Sequence, residues 1–387
     1  MSRSLRILAL NHRCLRHPEA GGSEQYLFEI ARQWVMEGHQ VTVITTDPGR
    51  AYASRSETVD GMRILRMGGR FTIFLFAALF LIRFGRRFDR IIDISNGLPF
   101  FTPLLTSTPS SLVVHHVHTT RWAEEFPRPF ASIGCFIERY VVPRVYRKSA
   151  VITGSPTSRE KLLELGFEQS QVQLILYGVQ HPSDTRWIIP SQKQRIAYVG
   201  RLKRYKRVDH LVRLVAELVS EFSDLHLDIA GDGESKSELA ALVSQLGLED
   251  RVTLHGFVDD EVKSKLLYAA TVFAMPSEIE GWGLSVIEAN AHGCPAVGYD
   301  VPGLDSSVKH DGTGLLAADY DSFREAVASI LRDPSLRLRL STEARTWAAS
   351  FNWERCASQT LAVLVGSNDE GFANIMPSLP VTPVALN

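Results

Sequence analysis

The sequence predicts an α/β protein made of two Rossmann-like domains, each built on a parallel sheet. Apolar runs of strand length alternate with segments of helical period in both halves of the chain. The runs Leu5–Leu10 and Ile196–Val199 are continuously apolar, as parallel strands buried on both faces must be. The 387 residues suffice for two cores of ordinary size, and a polar, proline-containing stretch at 181–194 divides them as a linker.

Composition narrows the function. The 42 Lys and Arg against 43 Asp and Glu leave a formal charge of -1, which argues against nucleic acid as a partner. The four cysteines, Cys14, Cys135, Cys294 and Cys356, lack metal-ligand spacing and suggest a reducing compartment. The opening MSRSLRILALNH reads as a first strand and not as a secretory signal, so a cytoplasmic location is expected.

In the first half, Leu5–Leu10 leads through a loop to Gly21 and Gly22, after which Tyr26, Leu27, Ile30, Ala31, Trp34 and Val35 recur at helical spacing. Strand, glycine pair and helix together make a seat for phosphate, because glycine admits close backbone approach and a helix start supplies unpaired amides. Gln40–Thr46 alternates as a second strand, and a third follows Gly61. Phe71–Phe84 is strongly apolar and flanked by Arg70, Arg83, Arg86 and Arg87. It falls short of the roughly 20 residues that cross a bilayer. A buried helix is the first reading, and a peripheral contact with an anionic inner membrane surface is the second.

Phe88–Ile94 is a strand whose carboxyl end opens into Asn96-Gly97 and Pro99, the position where open α/β sheets bind ligands. Ser111–His118 reads as a strand running through His115, His116 and His118, and alternation sets His116 and His118 on one face. No carboxylate or cysteine accompanies them at ligand spacing, so no metal is expected. Trp122, Phe126 and Pro127–Pro129 form an irregular stretch. A helix over Ile137–Tyr146 carries Pro143 as a kink, and strand, turn and helix follow over Ala150–Phe167.

The second half repeats the pattern. The strand Ile196–Val199 enters a glycine turn with Gly200, Arg201 and Lys206, two cations that suit a pyrophosphate unless the loop is simply solvated. Gly231-Asp232-Gly233 lacks the third glycine of a dinucleotide fingerprint. Val252–Val258 is a strand running into a loop at Gly256-Phe257. Between Ser277 and Val297, Glu280 and Glu288 stand eight positions apart around Gly281, Trp282 and Gly283. Leu284–His292 has helical spacing and stops at Gly293 and Pro295, so it reads as a short buried helix. Its first amides, at Leu284 and Ser285, favour a phosphate, while carboxylates beside such a seat suit the hydroxyls of a sugar or ribose. An ordinary core helix with two solvent-facing carboxylates is the plainer alternative.

The pattern Glu280-x7-Glu288 in PSEIEGWGLSVIEANAHGCPAVG resembles the signature of retaining GT-B glycosyltransferases of family 4, also called group 1. Gly21-Gly22 with Ser23-Glu24, GRLKRYK from Gly200 to Lys206, and Tyr299–Ala317 extend the resemblance over nearly the whole chain to Val365. It implies an acceptor domain at 1–180, the linker at 181–194, a nucleotide-sugar domain at 195–345, closing helices at 346–366 that pack back on the first domain, and a mobile tail at 367–387. The two domains would face each other across a cleft.

The same resemblance implies roles for residues. Glu280 would lie at the transferred sugar and Glu288 would hold the ribose. Arg201 and Lys206 would clamp the diphosphate beside Gly200, with Gly22, after Gly21, and the amides of Leu284 and Ser285 sharing its charge. Gly256 and Phe257 would lie against the nucleobase, Gly281, Trp282 and Gly283 would complete the donor site, and Trp282 stands where the family usually has phenylalanine. His118 would contact the donor sugar, with His116 as the fallback.

The implied reaction moves a hexosyl group, with retention, from a nucleoside-diphosphate sugar to a hydroxyl of a glycan or lipid-linked acceptor in polysaccharide or glycoconjugate biosynthesis. A donor of the UDP-glucose type comes first and GDP-mannose next, with no cofactor or metal required. Double displacement needs carboxyls about 5 Å apart, whereas eight helical residues span about 12 Å, which argues against a covalent intermediate, and the resemblance implies front-face substitution instead. A sugar-nucleotide epimerase and a noncatalytic nucleotide-sugar sensor are the rival readings of the same fold.

Overall fold

Ile7, Leu8, Ala9 and Leu10 are all fully buried, so the first strand is covered on both faces. The structure, a computed structural model, describes residues 3–17, 20–49, 51–119, 122, 126–182 and 194–366. The tail expected at 367–387, most of the linker at 181–194 and part of the irregular stretch around Trp122 lie outside them.

Strands β1 (Arg6–Leu10), β2 (Gln40–Thr45), β3 (Ser56–Val59), β4 (Met62–Arg66), β5 (Arg90–Ser95), β6 (Ser110–Val114), β7 (Val151–Thr153) and β8 (Val172–Leu174) form one sheet in the order β3-β4-β2-β1-β5-β6-β7-β8. Neighbours are parallel except β3 with β4, a hairpin that turns at Asp60 and Gly61 with φ of 46° and 78°. Strands β9 (Arg195–Val199), β10 (His226–Ala230), β11 (Val252–Gly256), β12 (Val272–Met275), β13 (Ala296–Tyr299) and β14 (Gly314–Ala317) form a second, wholly parallel sheet in the order β11-β10-β9-β12-β13-β14. This is the doubly wound arrangement, whose order reverses between β9 and β12. In the first sheet the reversal falls between β1 and β5. Loops leaving neighbouring strands at a reversal diverge and leave a crevice at their carboxyl ends. The fold therefore selects the loops after β9 and β12, and those after β1 and β5.

The chain divides into two compact units, one of Met1–Thr153, Leu162–Ile175 and Trp353–Asn387, the other of Gly154–Lys161 and Leu176–Asn352. In the first unit the helix Trp353–Val365 packs on the helix Gly22–Met36: Trp34 Nε1 donates to Ala357 O at 2.9 Å, and the hydroxyls of Tyr26 and Thr360 lie 3.2 Å apart. The return to this unit starts at Trp353 and not at 346, because Trp347 and Phe351 meet edge to face at 4.7 Å and Phe351 packs on Trp282, all within the second unit.

Three expectations about the first unit are corrected. Strand β6 ends at Val114, so the three histidines occupy the loop beyond it and strand alternation does not sort them. The Phe71–Phe84 segment is a helix over Ile73–Phe84, yet it is not a buried one. Ile73, Ala77 and Leu81 pack with Leu8, Leu10, Ile44 and Ile91, while Leu75, Leu79 and Ile82 are about 60% exposed on the other side. The helix expected near Pro143 starts earlier, at Arg128, and runs through a π turn, Ile137–Val141, into Val142–Val145. Pro143 lacks the N–H that a regular turn requires there, which accounts for the wider turn.

Close packing of the second sheet fixes one glycine. A Cβ on Gly314 would stand 1.9 Å from the carbonyl oxygen of Ala296, its partner across β13 and β14. Gly314→Ala should destabilise the protein by about 1–3 kcal/mol, as overpacking does. Gly69→Ala, where a Cβ meets nothing within 4 Å, should stay within about 0.5 kcal/mol of wild type. Urea unfolding followed by circular dichroism checks this, and equal shifts for the two variants would refute the packing argument.

Candidate functional site

The loop after β9 begins at Gly200, whose carbonyl oxygen would meet a Cβ on Gly231 at only 1.9 Å. Gly231 also has φ of 145° and donates its N–H to Gly256 O at 2.7 Å. Glycine is required here by close approach and by backbone conformation together. Gly200, Gly231 and Gly256 thus converge at the carboxyl ends of β9, β10 and β11. Phe257, next to Gly256, is 86% exposed, a bare ring at that edge.

Beyond Gly200 the loop carries Arg201 and Lys206, which have different surroundings. The Arg201 side chain is exposed and makes no ion pair among the described residues, while its carbonyl accepts from the buried Tyr198 hydroxyl at 3.0 Å. Lys206 is buried and its Nζ pairs with Oε1 of Glu280 on the loop after β12. Glu280 Oε1 also accepts from Ser277 Oγ at 2.8 Å. The switch point of the second sheet is therefore bridged by an ion pair between two residues that the sequence had singled out separately. Burial pushes the Tyr198 phenol well above its ordinary value, and the Glu280 charge adds to the shift.

The Glu280 backbone is held by its N–H donating to Pro302 O at 3.1 Å, and a Cβ on Gly303 would stand 2.2 Å from Glu280 O. The 301–303 segment thus braces the first glutamate. Gly283, in the left-handed region at φ 69°, turns the chain into the helix Leu284–Ala291. A Cβ there would press on Ser307 Oγ at 2.8 Å. No side chain caps this helix, so the amides of Leu284 and Ser285 face outward from its first turn.

Glu288, on the same helix, is buried and paired with Lys263 Nζ at 2.9 Å. Lys263 stands on the helix Asp260–Ala269 and also meets Asp260 at 3.0 Å. Burial opposes the charge on Lys263, but the two carboxylates outweigh it and raise its pKa. One turn on, His292 Nδ1 donates to Glu288 O at 2.7 Å and its Nε2 lies 2.7 Å from Ser264 Oγ. The two helices are thus latched by neighbouring bonds that aim Glu288. The solvent-facing carboxylates of the plainer alternative are not found.

The Trp282 ring is buried against Phe351, within the second unit. Sequence reasoning missed Lys263, Tyr198 and Ser277. Lys263 lies among Asp259, Asp260, Glu261 and Lys265, a pattern identical to that of a solvated helix face.

In the first unit, Asn96 Nδ2 donates to Asn11 Oδ1 at 2.7 Å and links the loops after β1 and β5. Gly21 caps the helix Gly22–Met36, and its N–H donates to Glu24 Oε2 at 2.8 Å. The three histidines separate by environment. His116 is exposed, and His115 is buried edge-on to Tyr26 with ring centroids 5.2 Å apart. His118 is fixed by its N–H to Glu138 Oε1 at 2.7 Å and by Nδ1 donating to His116 O at 3.1 Å. Glu138 Oε2 also accepts from Trp122 Nε1 at 3.0 Å. Burial raises the Glu138 pKa against these two hydrogen bonds, which favour the carboxylate.

Two doubly wound, largely parallel sheets, the second with cations, carboxylates and a helix start at its switch point, are the arrangement of a nucleotide-handling fold. The comparisons give the family. Residues 20–181 match the profile of Glycosyltransferase Family 4 and residues 182–347 that of Glycosyl transferases group 1, and the chain belongs to this GT-B glycosyltransferase family. It is 28% identical over 401 residues to a D-inositol 3-phosphate glycosyltransferase of Kineococcus radiotolerans, covering 89% of this chain and 90% of that one. It is 26% identical over 279 residues to an alpha-D-kanosaminyltransferase of Streptomyces kanamyceticus, covering 67% and 72%. Among solved structures, HepE of Anabaena in complex with UDP and glucose aligns with a TM-score of 0.75 at 17% identity, covering 94% of this chain and 100% of that one. Sucrose-phosphate synthase of Thermosynechococcus elongatus aligns with a TM-score of 0.78 at 22% identity, covering 96% and 100%. At these identities the solved structures speak for the fold. The protein is a glycosyltransferase.

The histidine loop yields a pH prediction. Burial, with a smaller contribution from His118, lowers the His115 pKa to about 3 from the ordinary 6.5. The unfolded chain therefore binds the extra proton between these values, so the contribution of neutral His115 is complete above about pH 6.5 and is lost as the pH falls towards 3. Wild type should lose about 1–2 kcal/mol from this group between pH 7 and pH 5, and His115→Gln should lack that part of the slope. Urea midpoints measured across this range decide it, and parallel slopes for the two proteins would refute it.

Proposed function

We propose that the protein moves a hexosyl group, with retention of anomeric configuration, from a nucleoside-diphosphate sugar to a hydroxyl of a glycan or lipid-linked acceptor. The observation that carries this reading is the meeting of Arg201 and Lys206 with Glu280 and the uncapped Leu284–Ala291 helix at the β9/β12 reversal. Lys206 is paired with Glu280 and Lys263 with Glu288, so among the described residues the unpaired positive character of this loop pair rests on Arg201, Lys203 and the helix amides. That is where a diphosphate belongs.

In this reading the bond from the anomeric carbon to the diphosphate oxygen breaks. Arg201, Lys206 and the amides of Leu284 and Ser285 take up the developing charge, electrostatic stabilisation that needs no divalent ion. The acceptor oxygen bonds to the same face of the anomeric carbon, and its proton passes to the departing phosphate oxygen. Glu280 orients the sugar, Glu288 accepts from the ribose hydroxyls, and Phe257 lies against the base. By the family resemblance, His118 is the residue for the donor sugar, and Gly21 and Gly22 are those for the phosphate. UDP-glucose is the preferred donor, supported by the HepE structure with UDP and glucose, and GDP-mannose comes next. Polysaccharide or glycoconjugate assembly, on the cytoplasmic side, is the setting that suits such an acceptor.

Calorimetric titration with UDP, GDP and ADP, with and without EDTA, tests the donor site. One nucleotide should bind regardless of EDTA, and Arg201→Ala and Glu288→Ala should each weaken it by about tenfold or more. Proton NMR of the product should show the anomeric configuration of the donor. Variants that bind like wild type would overturn the site, and an inverted product would overturn the mechanism.

A further inference from the structure

The helix Ile73–Phe84 leaves Phe71, Leu75, Leu79 and Ile82 between 57% and 70% exposed, at the spacing of one helical stripe. A second stripe lies on the helical run from Arg128 to Val145. There Phe130, Ile133, Phe136 and Tyr140 recur every three or four residues at 45% to 64% exposure. Both belong to the first unit, and they are neighbours at one end. The Arg70 guanidinium lies 5.6 Å from the ring of Phe71 and 5.7 Å from that of Phe126, which immediately precedes the second run. Two apolar stripes meeting at one arginine make an unusual surface, since water-facing patches are normally small and scattered.

Charge identifies the occupant. From 69 to 88 the chain holds Arg70, Arg83, Arg86 and Arg87, all exposed, and no acidic residue. From 126 to 149 it holds Arg128, Arg139, Arg144, Arg147 and Lys148, all exposed, against Glu138 alone. Glu138 is buried and faces inward to the His118 N–H and the Trp122 indole. Several of the arginines lie over aromatic rings at the rim, Arg87 at 4.9 Å from Phe84 and Arg139 at 5.8 Å from Tyr140. A symmetric contact with a second copy would set arginine against arginine. An anionic bilayer presents acyl chains to the stripes and phosphates to the rim. No helix among the described residues is long and apolar enough to cross a membrane, so the contact is peripheral.

We propose that these two stripes form a single docking face for an anionic lipid surface, which the first unit enters only to the depth of its exposed side chains. The proposal deepens the transferase reading, and rests on it only in bringing the protein to an acceptor held at the bilayer.

Co-sedimentation of the full chain with vesicles tests it. The protein should bind phosphatidylcholine vesicles containing about one third phosphatidylglycerol, should ignore pure phosphatidylcholine, and should bind less at about 0.5 M salt. Leu75→Ser with Leu79→Ser, and separately Ile133→Ser with Phe136→Ser, should each weaken partition by at least about tenfold. Arg86→Gln with Arg87→Gln should reduce the preference for anionic vesicles. Thermal unfolding and nucleotide titration of the same variants, read without vesicles, should match wild type. Failure to sediment, unchanged binding in both apolar double variants, or a dimer in ultracentrifugation that those variants dissolve would each overturn the proposal. Intact nucleotide binding beside any of these results would leave the transferase reading standing, and a chain that docks but binds no nucleotide would overturn that reading alone.

Discussion

The pair between Lys206 and Glu280 is the constraint on which the site depends, because it joins the two loops that the topology drives apart. Each side chain is only about one-tenth exposed. A charge so buried costs several kcal/mol when its partner leaves, so neither loop can drift without exposing the other to that penalty. Ser277 adds a neutral bond to the same carboxylate oxygen, and the Gly303 backbone closes on the Glu280 carbonyl from behind. The second carboxylate is treated alike, with Lys263 in front and the His292–Ser264 contact beside it. Both glutamates are held and aimed before any ligand arrives.

How much of this could be read from the chain depends on the separation of the interacting groups. The alternation of strands and helices, the helix at Leu284 and the glycine turn at Gly200 follow from local spacing, and they stand where the sequence put them. Glu280, Glu288, Arg201 and Lys206 were legible as a set through a motif resemblance, but their pairing was not. Lys206 and Glu280 are 74 positions apart, and no local period connects them. Lys263 was invisible for the same reason, since its own neighbourhood advertises only surface ion pairs. The end of β6 was misread because His115, His116, Val117 and His118 continue an alternating pattern after the strand has lost its neighbour: β7 pairs only with Leu112 and Val113. The helix at Ile73 was misread because an apolar sequence does not say how many of its faces will find a partner.

The two sheets solve one topological problem with different chemistry. At the reversal of the first, two asparagines bridge the diverging loops through a neutral hydrogen bond. At the reversal of the second, an ion pair does so. A neutral bridge is indifferent to salt and to nearby charge, whereas the ionic one responds to any anion brought beside it. The unit with the charged bridge also carries the exposed guanidinium and the uncapped helix start.

The helix Trp353–Val365 has a consequence for the order in which the molecule is made. It covers the indole of Trp34 and the ring of Tyr26, both completely buried, yet it is separated from the rest of its unit by the whole of Leu176–Asn352. A ribosome adding residues at ordinary speed needs roughly 10–35 s to pass through that insert. During that interval the second unit can fold to completion while the first waits with an aromatic groove open to solvent. Vectorial synthesis therefore completes the earlier unit only after the inserted one has been made, when the helix Trp353–Val365 emerges.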